Sequence, residues 1–432
     1  MSDPTTFDRA AFAALPATAG FAADLRAQAF AEFEALPLPS PETEEWRYTD
    51  LSAFALDHAP FTGGGSPEDR ARQGLREAGE VGERAGFQVQ RNSEVIATER
   101  ATGLPDGVWF GDLDRAIREV PDLVEPYLAQ LVPAKRTRFT ALHAAFRTGG
   151  TFVHVPADTR VALPLQTLTW VDADGSAVFP HTLLVAERGA EVTFIDRFAS
   201  PDLGRAFSDA VSEIVVGDGA HVRYVSIQEW GRGMTHLGIV RATLGRDAEI
   251  RTVSIGFGAD LARVESEVIL ADQGGFSEQL GVFFADETQH FDHRTEQDHV
   301  APNCTSDLLY KGALRDASRG VFSGWVHVRP GAQKTDAMQT SRNVILSESA
   351  FARAIPNLEI EANDVKCGHA ASVGPVEDEQ LFYLMSRGIP RDEAERLIVF
   401  GFFNEVLERI SLEEVRAIVG AAIERELTRG DA

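Results

Sequence analysis

The most constraining feature of this 432-residue sequence is a short turn that recurs through its middle at nearly constant spacing. Each copy follows a run of alternating apolar and polar residues and carries a small residue at the same place. The small residues of the five copies are Ala190, Ala220, Ala248, Gly275 and Ala332. They are separated by 30, 28, 27 and 57 residues, and the last separation is about two steps. Self-similarity at a fixed period is typical of stacked coils.

The runs between these turns predict β-strands, because Val, Ile, Thr and Phe alternate with polar residues throughout 138–376. A parallel β-helix, or β-solenoid, is therefore the favoured fold for this core. A two-sheet sandwich is the competing all-β fold, since its strands also recur every ~8–12 residues. No helical pattern interrupts the zone, which argues against a doubly wound α/β fold.

Both ends of the sequence have residue patterns that predict helices. Residues 1–137 are rich in Ala, Glu and Arg, and 21–36 has apolar residues at helical spacing. Residues 377–432 contain three predicted helices. We therefore expect an N-terminal helical region (1–137), a β core (138–376) and a C-terminal helical domain (377–432), with a flexible Gly-rich segment at 63–67.

The apolar run at 397–407, LIVFGFFNEVL, exceeds the single buried stripe of a surface helix. It predicts packing against the end of the β core. The alternative is that part of this face docks a partner protein.

The net charge of −25 argues against a nucleic-acid partner, because phosphate binding depends on Lys and Arg. It equally disfavours an anionic lipid surface. No apolar run approaches the ~20 residues that cross a bilayer. The N-terminal residues lack the basic-then-apolar pattern of a secretory signal, and two cysteines cannot form a disulfide framework. A cytoplasmic location is expected.

Cys367 and His369 form the first candidate site, in the stretch NDVKCGHAASVG. On a strand they would point to the same face, because side chains alternate with a period of two. A thiol beside an imidazole supplies two metal ligands, whereas structural zinc takes four and an iron–sulfur cluster normally takes four cysteines. The site would thus be incomplete, use other ligand types or be shared with another chain. The alternative is a buried structural thiol.

Secondary candidates are Cys304 and the histidines of TQHFDHRTEQDH: His290, His293 and His299. On a strand His290 and His293 would face opposite ways, so a metal site is weaker there than mutually satisfied polar groups. Cys304 is expected to be a packed thiol, since no neighbouring base is evident to lower its pKa. The sequence lacks GxxxxGK[ST], HExxH, GxSxG and paired CxxC motifs. A non-enzymatic protein is expected.

Several long segments resemble the SufB/SufD family of iron–sulfur cluster assembly proteins. They are HFDHRTEQDH, PNCTSDLLYKGAL, RGVFSGWVHVRPGAQKTDAMQ, PNLEIEANDVKCGHAASVG, EDEQLFYLMSRGIPRDEAERLIVFGFF and EVLERI, with EEWRYTDL near the N-terminus. The resemblance implies a right-handed parallel β-helix between helical ends. It also implies a scaffold that pairs with SufB and binds the ABC-type ATPase SufC through its C-terminal helices. A nascent cluster would form at the SufB–SufD junction, with His369 as ligand and Cys367 as ligand or near neighbour.

Within the family the sequence is most like SufD. SufB-like chains carry an acceptor cysteine in the segment near Ser341 and a glutamate where this chain has Ala370, and this chain has neither. It also has no cysteine between Thr140 and Asn303, the segment in which SufB would accept sulfur. The resemblance implies a transient cluster shared with the partner and no cofactor held tightly by the isolated chain. It leaves open a flavin in the assembled complex and a homodimer of the isolated chain.

Three rival functions remain at this point. The chain could be a SufB-like scaffold that accepts sulfur itself. It could be a polysaccharide-active β-helix enzyme, using Asp and Glu along one open face. It could be a metal-dependent hydrolase that uses His290, His293 and His299, which stoichiometric zinc in the isolated chain would favour.

Overall fold

The computed structural model describes residues 5–18, 20–51, 54–63 and 83–428. Most of the predicted flexible segment 63–67 lies outside these residues. The described chain is a parallel β-solenoid of about eight turns with helices at both ends, which confirms the predicted fold class. No helix in the described ranges is long and apolar enough to span a membrane.

Twenty strands make up the described part of the solenoid. They are β1 (Gly86–Arg91), β2 (Glu94–Arg100), β3 (Trp109–Asp112), β4 (Thr151–Val155), β5 (Leu165–Trp170), β6 (Ala177–Val178), β7 (His181–Ala186), β8 (Glu191–Ala199), β9 (Ala206–Val216), β10 (His221–Glu229), β11 (Met234–Leu244), β12 (Glu249–Gly256), β13 (Leu261–Leu270), β14 (Phe276–Ala285), β15 (His290–His299), β16 (Thr305–Leu314), β17 (Arg319–Val328), β18 (Asp336–Ile345), β19 (Phe351–Ile360) and β20 (Lys366–Pro375).

These strands form two sheets that face each other across the solenoid interior. Sheet one has the order β2-β1-β5-β8-β10-β12-β14-β16-β18-β20, and sheet two has the order β19-β17-β15-β13-β11-β9-β7-β4-β3, with β6 beside β9. From β8 onward, successive strands alternate between the sheets and pair in parallel with the strand one coil away. The antiparallel sandwich alternative is therefore wrong.

The recurring turn explains the period of the sequence. In each coil the turn contains one residue with a left-handed backbone, a conformation that Gly, Asp and Asn tolerate better than other residues. Its φ is 68° at Gly189, 63° at Gly219, 51° at Asp247, 80° at Gly274 and 59° at Asn303. Each of these N–H groups donates to a carbonyl of the next turn, as from Gly189 to Asp218 at 2.8 Å. The turns therefore stack as the strands do.

The residue after the left-handed position lies buried beneath each turn. It is Ala190, Ala220, Ala248, Gly275 and then Cys304. Cys304 holds this position in the turn that lies within the 57-residue separation between Gly275 and Ala332. In the turn before β18 the equivalent position is held by Thr335, so its assignment to Ala332 from sequence was wrong. That turn is longer than the others, and its left-handed residue is Lys334.

The C-terminal helices confirm the three predicted from sequence. They are α6 (Asp378–Ser386), α7 (Arg391–Arg409) and α8 (Glu413–Thr428). The helices α7 and α8 pack on the outer face of sheet one, and their buried side chains join a cluster with residues of β8 to β16. Burying so much apolar surface makes the tail part of the folded core.

The N-terminal region is mixed rather than wholly helical. Its helices are α1 (Arg9–Ala14), α2 (Phe21–Ala35), α3 (Leu113–Glu119) and α4 (Pro121–Val124), with 3-10 turns at Glu44–Trp46 and Ala134–Arg136. The helix α5 (Arg138–Phe146) lies just inside the predicted β core. Aromatic residues of α2 and α5 pack with Phe207 of sheet two. The prediction missed β1, β2 and β3, which begin both sheets within residues 1–137.

Candidate functional site: the open end of the solenoid

Both sheets end at the same place, in the coil formed by β19 and β20. Among the strands that the structure describes, β19 pairs in its sheet only with β17, and β20 only with β18. Their outer edges thus present backbone N–H and C=O groups that a strand of another chain could pair with. Most residues of β20 are exposed, in contrast to the strands before it.

The Cys367 and His369 side chains, here called the C-x-H pair, lie on β20 and face the same way. In register, Cys367 lies beside Ala337 and His369 beside Gln339. Ala337 and Gln339 are buried and point into the solenoid. The pair therefore extends two inward-facing rows of side chains, yet His369 is exposed because no further coil follows it in the described chain. The predicted strand and shared face are confirmed.

The thiol of Cys367 lies at the edge of a small apolar cluster formed by the last coils. Partial burial, together with the negative charge of Asp336, raises its pKa above the usual value of a cysteine. A neutral thiol is thus favoured in the isolated chain. A bound cation would reverse that preference, because metal ligation requires the thiolate.

The described residues hold no cluster of three or more His, Cys, Asp or Glu side chains that could bind a metal ion. Of the side-chain types that bind metal ions, the C-x-H pair brings together one thiol and one imidazole. Because β20 pairs only with β18 among the described strands, its outer edge and the exposed His369 are accessible to a second polypeptide.

Cys304 lies apart from this pair. It is fully buried in the stack of turns, and its Sγ lies 3.3 Å from the carbonyl oxygen of Asp272. Burial raises the pKa of this thiol. Cys304 directly precedes β16, which is two strands from β20 in sheet one, roughly 10 Å along the solenoid axis. Both cysteines are free. The buried position of Cys304 fits the packed thiol expected from sequence.

The three candidate histidines share strand β15 but no common site. His290 points outward, whereas His293 and His299 point into the interior and are buried. The inward two are six residues apart, roughly 20 Å along the strand. Burial lowers the pKa of each of them to about 4, so both are neutral. The geometry gives no support to a three-histidine metal site.

A cleft of about 610 Å³ on the outer face of sheet two was not foreseen from sequence. Its walls come from the N-terminal segment around Tyr48 and from outward residues of β13 to β19, including the half-exposed Trp325. Arg136 forms ion pairs with Glu265 and Glu267 across its floor. Residues so far apart in sequence carry no local signal of their meeting.

The helix α6 presents an apolar surface to solvent. Only Leu381 of this helix is buried, whereas Phe382 is 74% exposed. Other exposed apolar residues accompany it: Tyr383, Met385, Leu397 and Phe400. Within the run 397–407, Val399 and Phe403 are buried against sheet one, which confirms the predicted packing, while Leu397 and Phe400 face outward.

Comparison with known proteins agrees with this architecture. Residues 169–402 match the model of the SufBD core domain of the SUF system for FeS cluster assembly. Residues 84–167 match the SufBD protein N-terminal region. The chain belongs to the SufBD family. The match to the core domain covers most of the solenoid and the start of the helical tail, including β20 and its C-x-H pair.

Curated relatives extend the likeness over nearly the whole chain. The iron–sulfur cluster assembly protein SufD of Bacillus subtilis is 33% identical over 412 residues, which cover 94% of this chain and 93% of that protein. A SufBD family protein of Mycobacterium tuberculosis is 39% identical over 286 residues, covering 64% and 71%. A SufBD family protein of Staphylococcus haemolyticus is 30% identical over 400 residues, covering 90% and 86%. The chain is most like SufD within its family.

Proposed function

We propose that this protein is a non-enzymatic scaffold subunit of the Suf iron–sulfur cluster assembly complex. It pairs with a SufB paralogue at the open end of the solenoid and lends ligands to a nascent cluster there. The observation that carries the proposal is the C-x-H pair on a terminal strand whose outer edge is unpaired among the described strands. The cluster is cargo, held briefly and passed on.

The open end has the chemistry of a partner surface. Large apolar side chains are exposed on its last coils: Trp325, Met338, Phe351, Ile360 and Val373. Two strand edges and a rim of apolar residues suit the addition of strands from a second solenoid. The same edges would join two copies of this chain when SufB is absent, which gives the isolated protein a homodimer.

The partner completes the coordination sphere in this proposal. His369 is exposed and needs no unfolding to reach a cluster, and Cys367 becomes a ligand once its proton leaves. Two protein ligands from this chain leave further positions to the SufB side. In this scheme the complex assembles in the cytoplasm, and a flavin, where one is bound, belongs to the assembled complex.

The C-terminal helices are the proposed dock for the SufC ATPase. The exposed apolar residues of α6 and α7 face away from the solenoid, while α7 is fixed to sheet one. Lys311 of β16 donates to the Phe402 carbonyl at 2.7 Å, and Arg409 bonds Glu278 at 2.7 Å. ATP-driven movement of SufC would then shift the solenoid and alter the SufB junction.

Co-expression with SufB and SufC tests the cluster role of the pair. In the His369→Ala complex we expect the visible absorbance of the reconstituted cluster to fall several-fold, with the complex itself intact. His221→Ala is the matched control, since His221 is also an exposed strand histidine but lies far from the open end. Unchanged cluster yield in an intact His369→Ala complex would remove this histidine from the mechanism.

The competing functions have less support. A SufB-like sulfur acceptor needs a reactive thiol, whereas Cys304 is fully buried with a raised pKa. A polysaccharide-active site would need free carboxylates in the acidic cleft; Glu265 and Glu267 are held there by Arg136, so such a site would have to use Glu296 and Glu359. Release of reducing sugar from polyuronides by the pure protein would revive that function.

A further inference from the structure

The cleft of about 610 Å³ on the outer face of sheet two contains an exposed tryptophan. Glu44, Glu45 and Tyr48 contribute to its walls, together with outward residues of β13, β15, β17 and β19. Trp325 of β17 stands among them with 43% of its surface exposed. The volume is that of a small-ligand pocket, and tryptophan is enriched in binding surfaces. The cleft therefore has the size and the lining of a binding site.

The charges of the cleft favour a positive ligand. All of its arginines form ion pairs with carboxylates of this chain, so they are not free to bind an anion: Arg136, Arg263 and Arg294. By contrast, Glu296 and Glu359 form no ion pair with another described residue and are in contact with solvent. The cleft thus offers negative charge to a ligand.

One of these carboxylates lies directly beside the exposed tryptophan. Glu296 of β15 and Trp325 of β17 are register neighbours, so their Cα atoms are roughly 5 Å apart and both side chains leave the same face of the sheet. Burial, together with the charges of Glu267 and Asp298, raises the pKa of Glu296, and nearby arginines offset this only in part. A cation placed on Trp325 would therefore meet a carboxylate that has no ion-pair partner of its own.

The outer face of sheet two already stacks arginine side chains on aromatic rings. The guanidinium carbon of Arg263 lies 4.0 Å from the centre of the Trp46 ring, and that of Arg353 lies 4.8 Å from the centre of the Tyr48 ring. Within the described ranges, no Arg or Lys side chain lies over the ring of Trp325. Tryptophan is the aromatic side chain that attracts a cation most strongly. The Trp325 ring is thus available to a cation from outside the chain.

We propose that this cleft binds the guanidinium group of an arginine side chain presented by another polypeptide. The guanidinium plane lies on the Trp325 indole, and its N–H groups donate to the Glu296 carboxylate beside the ring. Arginine fits better than lysine, because its planar group can stack on a ring and bond a carboxylate at two points. A cleft of about 610 Å³ exceeds what one side chain fills, which leaves room for the peptide around the arginine. The inference rests on the cleft alone and does not depend on the Suf role.

Calorimetry of the isolated full-length chain with the peptide acetyl-Gly-Arg-Gly-amide tests the proposal at low ionic strength. We expect saturable binding, at least about tenfold tighter than that of the same peptide with citrulline, which keeps the shape of arginine without its charge. Binding should weaken as salt is added. Equal affinity for the arginine and citrulline peptides would overturn the proposal.

Matched variants separate the cleft from the general negative charge of the chain. Trp325→Ala and Glu296→Gln should each weaken binding of the arginine peptide about tenfold, because each removes one contact of the guanidinium group. Phe351→Ala and Glu191→Gln are the controls and should keep the wild-type affinity, since they remove a half-exposed ring and a half-exposed carboxylate outside the cleft. Melting temperatures check that all four variants fold. Wild-type affinity in both cleft variants would contradict the assignment.

Methylguanidinium separates a free cation from an arginine in a peptide. It carries the same head group and should bind at least about tenfold more weakly than the peptide, because it leaves most of the cleft unfilled. Equal affinity for the two probes would overturn the polypeptide as the ligand. None of these measurements contains SufB or SufC, so their failure would leave the proposed function to its own test.

Discussion

The two ends of the solenoid handle their sheet edges in opposite ways. At the N-terminal end the last pairings are antiparallel, and the register of β1 with β2 shifts between Val89 and Gln90. Arg100 covers the edge further: its Nε donates to the Phe110 carbonyl at 2.7 Å, and its guanidinium lies 5.2 Å from the Trp109 ring. Such devices block strand addition.

The C-terminal end has a different construction in the described residues. The strands β19 and β20 continue the parallel ladder without a change of direction, and no helix packs over their edges. One end thus carries antiparallel edge strands, a register shift and the Arg100 contacts, whereas the other continues as regular parallel strands to its edge. The difference supports the proposal that a partner binds at the coil that carries the C-x-H pair.

The largest effect is expected on the free energy of unfolding, when one interior residue is truncated at each end of sheet two. Phe110 on β3 is fully buried, so Phe110→Ala should lower the free energy of unfolding by about 3–5 kcal/mol. Leu358 on β19 is only partly buried, so Leu358→Ala should cost about 1–2 kcal/mol. Urea unfolding of the isolated chain, at a protein concentration low enough to keep it monomeric, measures both. Equal losses would mean that the C-terminal end is closed after all.

A proline on β20 should close the open edge to a partner strand. The Lys366 N–H donates to Thr335, so even-numbered residues of β20 bond toward β18 and odd-numbered ones face the free edge. Ala371→Pro should therefore remove an edge donor and weaken association with SufB about 100-fold, or about 3 kcal/mol. Titration of the purified subunits by calorimetry measures it.

Ser372→Pro is the contrasting variant, because its N–H points toward β18 and its loss should lower the melting temperature of the isolated chain. Ala371→Pro should barely change that temperature. If Ala371→Pro pairs with SufB as the wild type does, the interface lies elsewhere, with the cleft around Trp325 the next surface to test.

The smallest effect on stability is expected in the helical tail, away from both ends. Phe382→Ala should change the free energy of unfolding by less than about 0.5 kcal/mol, because the side chain is mostly in solvent. Its affinity for SufC should fall about tenfold or more, as for an interface anchor. Pull-down and calorimetry with purified SufC measure this.

Phe403→Ala is the matched control for that experiment, since Phe403 lies on α7 but is fully buried against sheet one. It should destabilise the fold by about 3–5 kcal/mol. Deleting residues 377–432 is a poorer test, because it would expose the apolar outer face of sheet one. Full SufC affinity in Phe382→Ala would move the dock off α6.

Much of the fold could be predicted because the turns repeat. Each turn has a residue that tolerates a left-handed backbone, followed by a small buried residue. This pair recurs in the sequence at a fixed period, between runs that alternate as strands do. The strands β1 and β2 were missed because GFQVQR and EVIATER carry long polar side chains within a Glu- and Arg-rich stretch. Their identity as strands depends on neighbours far along the chain.

The candidate site was predictable only in part. The shared face of Cys367 and His369 followed from the spacing of two residues. That Gln339 is the register neighbour of His369, or that Cys304 belongs to the stack of turns, follows only from the register between coils. The cleft joins Tyr48, Arg136 and Trp325, which no local pattern connects.

Stacked turns of one design have a consequence for size. Because each turn bonds only to the turns directly before and after it, whole coils of about thirty residues are interchangeable modules. A lineage could lengthen or shorten such a rod by one module and keep both termini unaltered. The distance between the two ends of the solenoid is thus a variable that evolution can tune in discrete increments.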